Sequence, residues 1–417
     1  MIHRFTLYVT SLKPGIVCRA LFAALIMSVY VGYSDLANAE LIPVPQVIRS
    51  SHDFPNIEAA SWILADYHTG WILGGENIDD RVEPASLTKL MTSYLIFDAL
   101  KAGRLSEEDM VFVSNRAYRA VGSRMYIEEN TKVSVIDLLN GLVIQSGNDA
   151  AIALAEHYGG SEESFAMIMN QKAAELGMTN TRFTNSSGLP DPGHYSTLRD
   201  ITMLSISLIR NFPNYFKLHS ELEFTYNNIT QQNRNILLTR DSRVDGLKTG
   251  YTQKAGYCLI ATANQEGFRL IAGVLGAKSR LNRADQVHEL IRYGYYAYDS
   301  IDVLKKNTHV VAVPMLMGEE NDVSVGTDKG IRLLYPKETR QKLSASFELP
   351  EEVEAPLSDG QQVGFIQIKY DKQPVMRSSL HVIGDYPEGP WYKKIYDLTK
   401  RMIFRWFDAP DSSTQTE

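Results

Sequence analysis

The stretch VDGLKTGYTQKAGYCLIATANQEGFRLIAGVLGA, residues 244–277, is where the fold can be read. Two apolar runs, 256–263 and 268–277, are separated by Asn264-Gln265-Glu266-Gly267, a polar segment that marks a hairpin between strands. Lys248-Thr249-Gly250 opens this unit, and Gly246 and Gly250 flank the lysine and threonine. A glycine in a strand lets another backbone approach its edge closely. A helix is expected to follow, from about 283 to 298.

Working outward, a second hairpin lies far upstream. "ASWILADYHTGWILGGEN", residues 60–77, reads as two short strands turning at His68-Thr69-Gly70. The chain between the two hairpins is helical in pattern. Leu87, Leu90, Met91, Tyr94, Leu95 and Leu100 supply one wide apolar face, closed by Gly103. Residues 135–158 are mostly helical but broken at "QSGND", and another helix runs from about 164 to 176, closed by Gly177. The Asn-, Ser-, Gly- and Pro-rich segment 184–196 is a loop, and a further helix spans about 199–211. Strands at both ends with helices between them predict an α/β (α+β) fold, an antiparallel sheet covered by helices.

Past residue 305 the texture changes. "HVVAVPML", "DVSVGT", "GIRLLYP", "QKLSASFELP", "GQQVGFIQIKY" and "VMRSSLHVIG" are short strands at regular spacing, a small all-β domain of sandwich or barrel type. In "WYKKIYDLTKRMIFRWF", Trp391, Ile395, Leu398, Met402 and Trp406 fall on one helical face. Lys393, Lys394, Lys400, Arg401 and Arg405 oppose the single Asp397, a balance of +4. A basic amphipathic helix with tryptophan at both ends of its apolar face suits an anionic membrane surface, and it is too short and charged to span one.

The N-terminus is a different material. Arg4, Lys13 and Arg19 precede an apolar run from about Ala20 to Tyr33, then Leu36-Ala37-Asn38-Ala39, the pattern of a secretory signal cut after Ala39. Four segments are therefore expected: signal 1–39, helix-and-sheet domain 40–304, β-domain 305–386, and amphipathic helix with tail 387–417. Of the two cysteines, Cys18 lies in the signal, so the mature chain keeps only Cys258, inside an apolar run, and can form no internal disulfide. A net charge of −7 over 417 residues offers no broad basic surface for nucleic acid. The nine histidines show no metal-ligand spacing, so neither metal nor cofactor is implied.

The chemistry begins in "EPASLTKL", residues 83–90, which puts Ser86 and Lys89 three residues apart on one helical face. Any Ser-x-x-Lys arises by chance roughly once or twice in a chain this long, and taken alone the pair is better explained by a capping serine beside a solvated lysine. Serine is a weak nucleophile that needs an adjacent base, and lysine serves if its surroundings lower its pKa. Two further tripeptides tip the balance. Ser146-Gly147-Asn148 puts a hydroxyl and an amide in a turn, and Lys248-Thr249-Gly250 lies on a strand. Finding both by chance, in this order, has odds on the order of one in a hundred.

These three motifs, with the longer strings "EPASLTKLMT", "IQSGNDAAIALAEHYGG" and "VDGLKTGYTQKAGYCL", resemble D-alanyl-D-alanine carboxypeptidases of the penicillin-binding protein 5/6 type, in the serine DD-peptidase and β-lactamase superfamily. The resemblance spans nearly the whole mature chain. It implies that Ser86 attacks the D-Ala-D-Ala carbonyl, that Lys89 accepts its proton, and that Ser146 and Lys248 pass a proton to the leaving D-alanine. It also implies an oxyanion hole from the backbone N–H groups of Ser86 and Tyr251, an acyl-side contact at Asn148, close approach of the substrate at Gly250, and a carboxylate site at Thr249 with a basic partner. Arg234 in "QNRN" is the candidate cation there, with Arg280 and Arg283 as further ones. The implied partners are peptidoglycan stem peptides, β-lactams as covalent inhibitors, and an anionic membrane surface met by residues 391–407, at the periplasmic face of the cytoplasmic membrane.

Three departures qualify the resemblance. Ser-Gly-Asn stands where class A β-lactamases carry Ser-Asp-Asn, and "NSSGLPDPGHYS" holds no glutamate, both of which speak against a β-lactamase. Asp191, the loop's only carboxylate, reads as a loop cap. Tyr251 stands where some relatives carry histidine. A DD-endopeptidase, or a weakly active penicillin-binding scaffold in cell-wall shaping, remains the alternative.

Overall fold

The structure is a computed structural model that describes residues 49–306, 308–327 and 330–407, with side chains through 401. The expected signal and Cys18 lie outside the described residues.

Both sequence hairpins join one five-stranded antiparallel sheet. Its strands are β1 (Ser61–Asp66), β2 (Ile72–Glu76), β3 (Val244–Thr252), β4 (Gly256–Gln265) and β5 (Phe268–Ala277), in the order β2-β1-β5-β4-β3. The near-continuous apolar runs follow from burial on both faces. Alternate residues enter different cores: Ile63, Ala65, Cys258, Ile260 and Ile271 face one, and Trp62, Leu64, Leu259, Ala261 and Leu270 the other.

The first core is roofed by α1 (Lys89–Lys101), α2 (Asn148–Gly159), α3 (Glu162–Glu175) and α4 (Leu198–Asn211). Helix α1 runs through its middle and is buried almost all round, which explains its wide apolar face. The second core is covered by α5 (Arg280–Ala297) and shared with the C-terminal strands. Side-chain oxygens of Ser161, Thr197 and Ser279 accept backbone N–H bonds at the starts of α3, α4 and α5.

From α5 the chain passes into β6 (Tyr298–Leu304) and then β7 (His309–Leu316), β8 (Asp322–Gly326), β9 (Ile331–Pro336), β10 (Leu343–Glu348), β11 (Val353–Glu354), β12 (Gln362–Tyr370) and β13 (Gln373–Val382). Strands β6 and β9 pair as a ribbon, and the others form a six-stranded sheet ordered β10-β12-β13-β8-β7-β11. This is the small all-β unit that the regular strand spacing predicts.

The last helix, α6 (Trp391–Phe407), docks by its polar side. Lys393 donates to the carbonyls of Glu319 and Glu320, the buried Asp397 accepts the Met317 N–H at 2.8 Å, and Arg401 pairs with Glu352 and Glu354. Lys394 pairs with Glu388. The opposite face, with Trp391, Ile395 and Leu398, is exposed, as are Tyr392 and Tyr396. Three of the cations expected to confront a membrane are therefore already engaged by protein. The Met402, Arg405 and Trp406 side chains lie outside the described residues.

Candidate active site

The nucleophile candidate sits where a tight turn becomes a helix. Ala85–Thr88 form a single 3-10 turn, and α1 continues from Lys89. Ala85 adopts φ +50°, a conformation costly for a residue with a Cβ, and it turns the next residue, Ser86, toward an open cleft. Lys89 lies below, 1% exposed, with Nζ 3.1 Å from Ser86 Oγ. Two stronger contacts hold that amine, to Asn148 Oδ1 and to the Ser187 carbonyl, each at 2.6 Å.

Asn148 is fixed in turn, because its Nδ2 donates to Val121 O at 2.6 Å and so sets which end of the amide faces the lysine. The break foreseen at "QSGND" is real. A π-helical turn, Gly141–Gln145, ends at Ser146 with φ +67°, and α2 begins at Asn148. The Ser146 hydroxyl is buried and, among the described residues, meets no hydrogen-bond partner. Asp149 accepts backbone N–H bonds from Met125 and Tyr126, pinning the 122–126 wall of the cleft.

Strand β3 forms the other wall, at the open edge of the sheet. A Cβ at Gly250 would stand 3.3 Å from the Ser86 nitrogen, so glycine lets the strand close on the turn that carries Ser86. Lys248 is buried and donates to Thr249 O at 3.1 Å. Behind the strand, Asn235 donates to Gly246 O, and His219 Nδ1 lies 3.1 Å from Leu247 O. Burial drops the His219 imidazole to about 4, so it stays neutral and donates to that carbonyl.

The loop foreseen at 184–196 is stitched to α1. Thr92 Oγ1 donates to Ser186 O, and Ser187 O receives Lys89. His194 Nδ1 accepts the Thr184 N–H, so its Nε2 carries the proton and donates to Thr88 Oγ1 at 2.8 Å. Asp191 accepts the Gly193 N–H, the loop-cap geometry expected of it.

The resulting cleft, about 620 Å³, is lined by Ser86, Ser146, Asn148, Thr249, Gly250 and Tyr251, with Arg234, Arg280 and Arg283 close by. Lys89 and Lys248 underlie it. Arg234 donates through Nε to Gln145 O, whereas Arg283 is committed to the carbonyls of Gly250 and Cys258. The residues singled out in the sequence for this chemistry thus meet here, Arg280 and Arg283 included. Missed were Ser187, His194, Glu162 and Asp149, whose carbonyl, imidazole and carboxylate contacts leave no spacing signature.

Burial dominates the electrostatics. It lowers the Lys89 amine from its ordinary value to about 7, with Asp149 and Glu162 pulling it up and Arg234 pushing it down. Lys248 is likewise pushed well below its ordinary value, first by burial and then by Lys89, Arg234 and Arg283. Cys258 is buried and held protonated, its thiol raised to about 11.

A profile of the D-alanyl-D-alanine carboxypeptidase family matches residues 48–279, more than half of the chain. The chain belongs to the D-alanyl-D-alanine carboxypeptidase family. In this family member, residues 298–388 match a second profile, the C-terminal domain of penicillin-binding protein 5. A D-alanyl-D-alanine carboxypeptidase of Escherichia coli, DacA, is 39% identical over 362 residues, covering 85% of this chain and 90% of its own. Penicillin-binding protein 5 from Haemophilus influenzae shares the fold with a TM-score of 0.73 at 36% identity, over 81% of this chain and all of its own. A Listeria monocytogenes penicillin-binding protein, solved in its ampicillin-bound form, matches with a TM-score of 0.54 at 32% identity, over 58% of this chain and all of its own.

Proposed function

We propose that this protein is a serine-type D-Ala-D-Ala carboxypeptidase that removes the terminal D-alanine from peptidoglycan stem pentapeptides through an acyl-enzyme on Ser86. The observation that carries this reading is the Ser86–Lys89 pair at a cleft that also holds Thr249 and three arginines. A neutral amine has two N–H bonds and one lone pair. Asn148 Oδ1 and Ser187 O accept the two N–H bonds at 2.6 Å, which leaves the lone pair for Ser86.

In this mechanism the serine oxygen attacks the penultimate carbonyl as its proton passes to Lys89. Backbone N–H groups of Ser86 and Tyr251 receive the developing oxyanion. The substrate lies along the free edge of β3 as an added strand, and Asn148 faces its acyl side. Its terminal carboxylate meets Thr249 with Arg234 or Arg280, since Arg283 is engaged with backbone carbonyls of β3 and β4. Ser146 and Lys248 relay the proton to the leaving amine, D-alanine departs, and water cleaves the ester. A β-lactam that mimics D-Ala-D-Ala acylates the same serine.

The site faces the periplasm if the first 39 residues export the chain and α6 rests on the cytoplasmic membrane. No described helix is long and apolar enough to cross a membrane. The exposed Trp391, Tyr392, Ile395, Tyr396 and Leu398 support surface seating, with apolar contact outweighing charge because Lys393, Lys394 and Arg401 are occupied. The deciding test is incubation with a pentapeptide substrate and with cross-linked muropeptide dimer. Release of free D-alanine from the pentapeptide, abolished in Ser86→Ala, is the expected result. Cleavage of the dimer alone would turn the reading to an endopeptidase.

A further inference from the structure

Glu162 is the first residue of α3, yet it is only 4% exposed. An acidic residue at a helix start complements the dipole, but the exposed neighbour Glu163 already does so. Glu162 instead points inward. Its Oε1 accepts both the backbone N–H of Ser186, at 3.0 Å, and the Ser186 hydroxyl, at 2.7 Å. Its Oε2 pairs with Arg116 at 2.6 Å, and that guanidinium is about half exposed. The next residue of the loop, Ser187, carries the carbonyl that receives Lys89. A carboxylate on α3 thereby grips the loop segment that grips the general base on α1.

We propose that Glu162 is a positioning residue for acylation: it anchors the 186–187 segment that orients the Lys89 amine and places a buried negative charge behind that amine. The proposal rests on the serine acyl-enzyme reading above. The charged or titratable groups facing Lys89 are Asp149 from α2, Glu162 from α3, Arg234 from the segment before β3, Lys248 from β3, and His194 from the loop. His194 is neutral and Lys248 is pushed well below its ordinary value, so the two carboxylates stand chiefly against Arg234. Removing the charge of Glu162 leaves Arg234 less opposed. The ammonium form of Lys89 then loses support, and the amine becomes a free base at lower pH.

The test is the rate of acylation by a fluorescent penicillin between pH 4.5 and 9, using the full mature chain in detergent. Glu162→Gln keeps an acceptor for Ser186 but removes the charge. Its acidic limb is expected to move to lower pH, so that at pH 5.5 its rate relative to its own plateau exceeds the wild-type ratio by about two- to five-fold. A purely structural Glu162 would lower melting temperature and plateau rate without moving the limb. Arg116→Gln changes a half-exposed side chain and keeps the question open if Glu162→Gln does not fold. It removes the cation that offsets Glu162, and the limb moves to higher pH. An unmoved limb in a folded Glu162→Gln, or in Arg116→Gln where the first does not fold, overturns the proposal while leaving the enzyme reading intact. A wild-type protein that is not acylated at all overturns both.

Discussion

Lys89 Nζ stands 2.6 Å from Asn148 Oδ1, closer than it stands to the serine it is proposed to deprotonate. The amide thus acts as an aiming device: it takes an N–H bond and leaves the lone pair for Ser86. Arginine cannot fill this role, because its guanidinium never becomes neutral in a protein. Lys89→Arg is expected to reduce acylation by about 10²- to 10⁴-fold, the usual range for a lost general base. Mass spectrometry of the penicilloyl adduct measures this, with circular dichroism confirming a folded variant.

The same lysine makes stability depend on pH in a definite direction. Its native amine titrates near 7, whereas an exposed lysine does so at 10.5. Between those values the unfolded chain binds more protons than the native one, so stability from this group rises with pH across that window. Lys248 is shifted the same way and steepens the trend. Relative to Lys89→Met, the wild type should gain up to about 1.4 kcal/mol per pH unit between 7 and 9.5 in urea unfolding. Acylation should rise about tenfold per pH unit below 7 and level off above it. A flat difference between the two proteins would mean that Lys89 is charged in the native state.

Much of this was legible beforehand because the relevant signals are local. Hairpins, apolar runs and helix caps are written within ten residues, and Ser86, Ser146 and Lys248 announce themselves by motif. The invisible part is made by contacts across long separations. Nothing around Ser187 indicates that its carbonyl holds Lys89 across 98 positions. Glu162 lies beside Glu163 in sequence, and only the fold turns one inward and the other to solvent. The pairing of the terminal helix was invisible for a related reason, since carboxylates distant in sequence claim part of its basic face.

Gly188 offers a test of how tightly the loop is set on the serine turn. Its φ is +82°, and a Cβ there would stand 1.8 Å from the Ala85 carbonyl oxygen. Gly188→Ala therefore has to displace either the loop or the turn presenting Ser86. A loss of about 2–4 kcal/mol is expected, from backbone strain and overpacking together. Because Ser187 is the adjacent residue, acylation should fall along with stability. Urea unfolding and penicillin labelling on the same sample measure both, and a variant with full activity and unchanged stability would contradict the close packing.

The terminal helix leads to a prediction about which face matters. If charge dominated membrane seating, raising salt would release the protein, and apolar substitutions would do little. The docked geometry favours the reverse, because Lys393, Lys394 and Arg401 are engaged while Ile395 and Leu398 are open to solvent. Ile395→Glu with Leu398→Glu places two carboxylates on the face that would enter the interface, and touches none of the contacts holding Asp397. Co-sedimentation with anionic vesicles should drop at least about tenfold in affinity, and D-alanine release from a soluble pentapeptide should be unchanged. Removing residues 391–417 should abolish sedimentation as well. It also strips Met317 of its acceptor, so the double substitution is the cleaner measurement. Equal binding by wild type and double variant would assign the outward face a different partner.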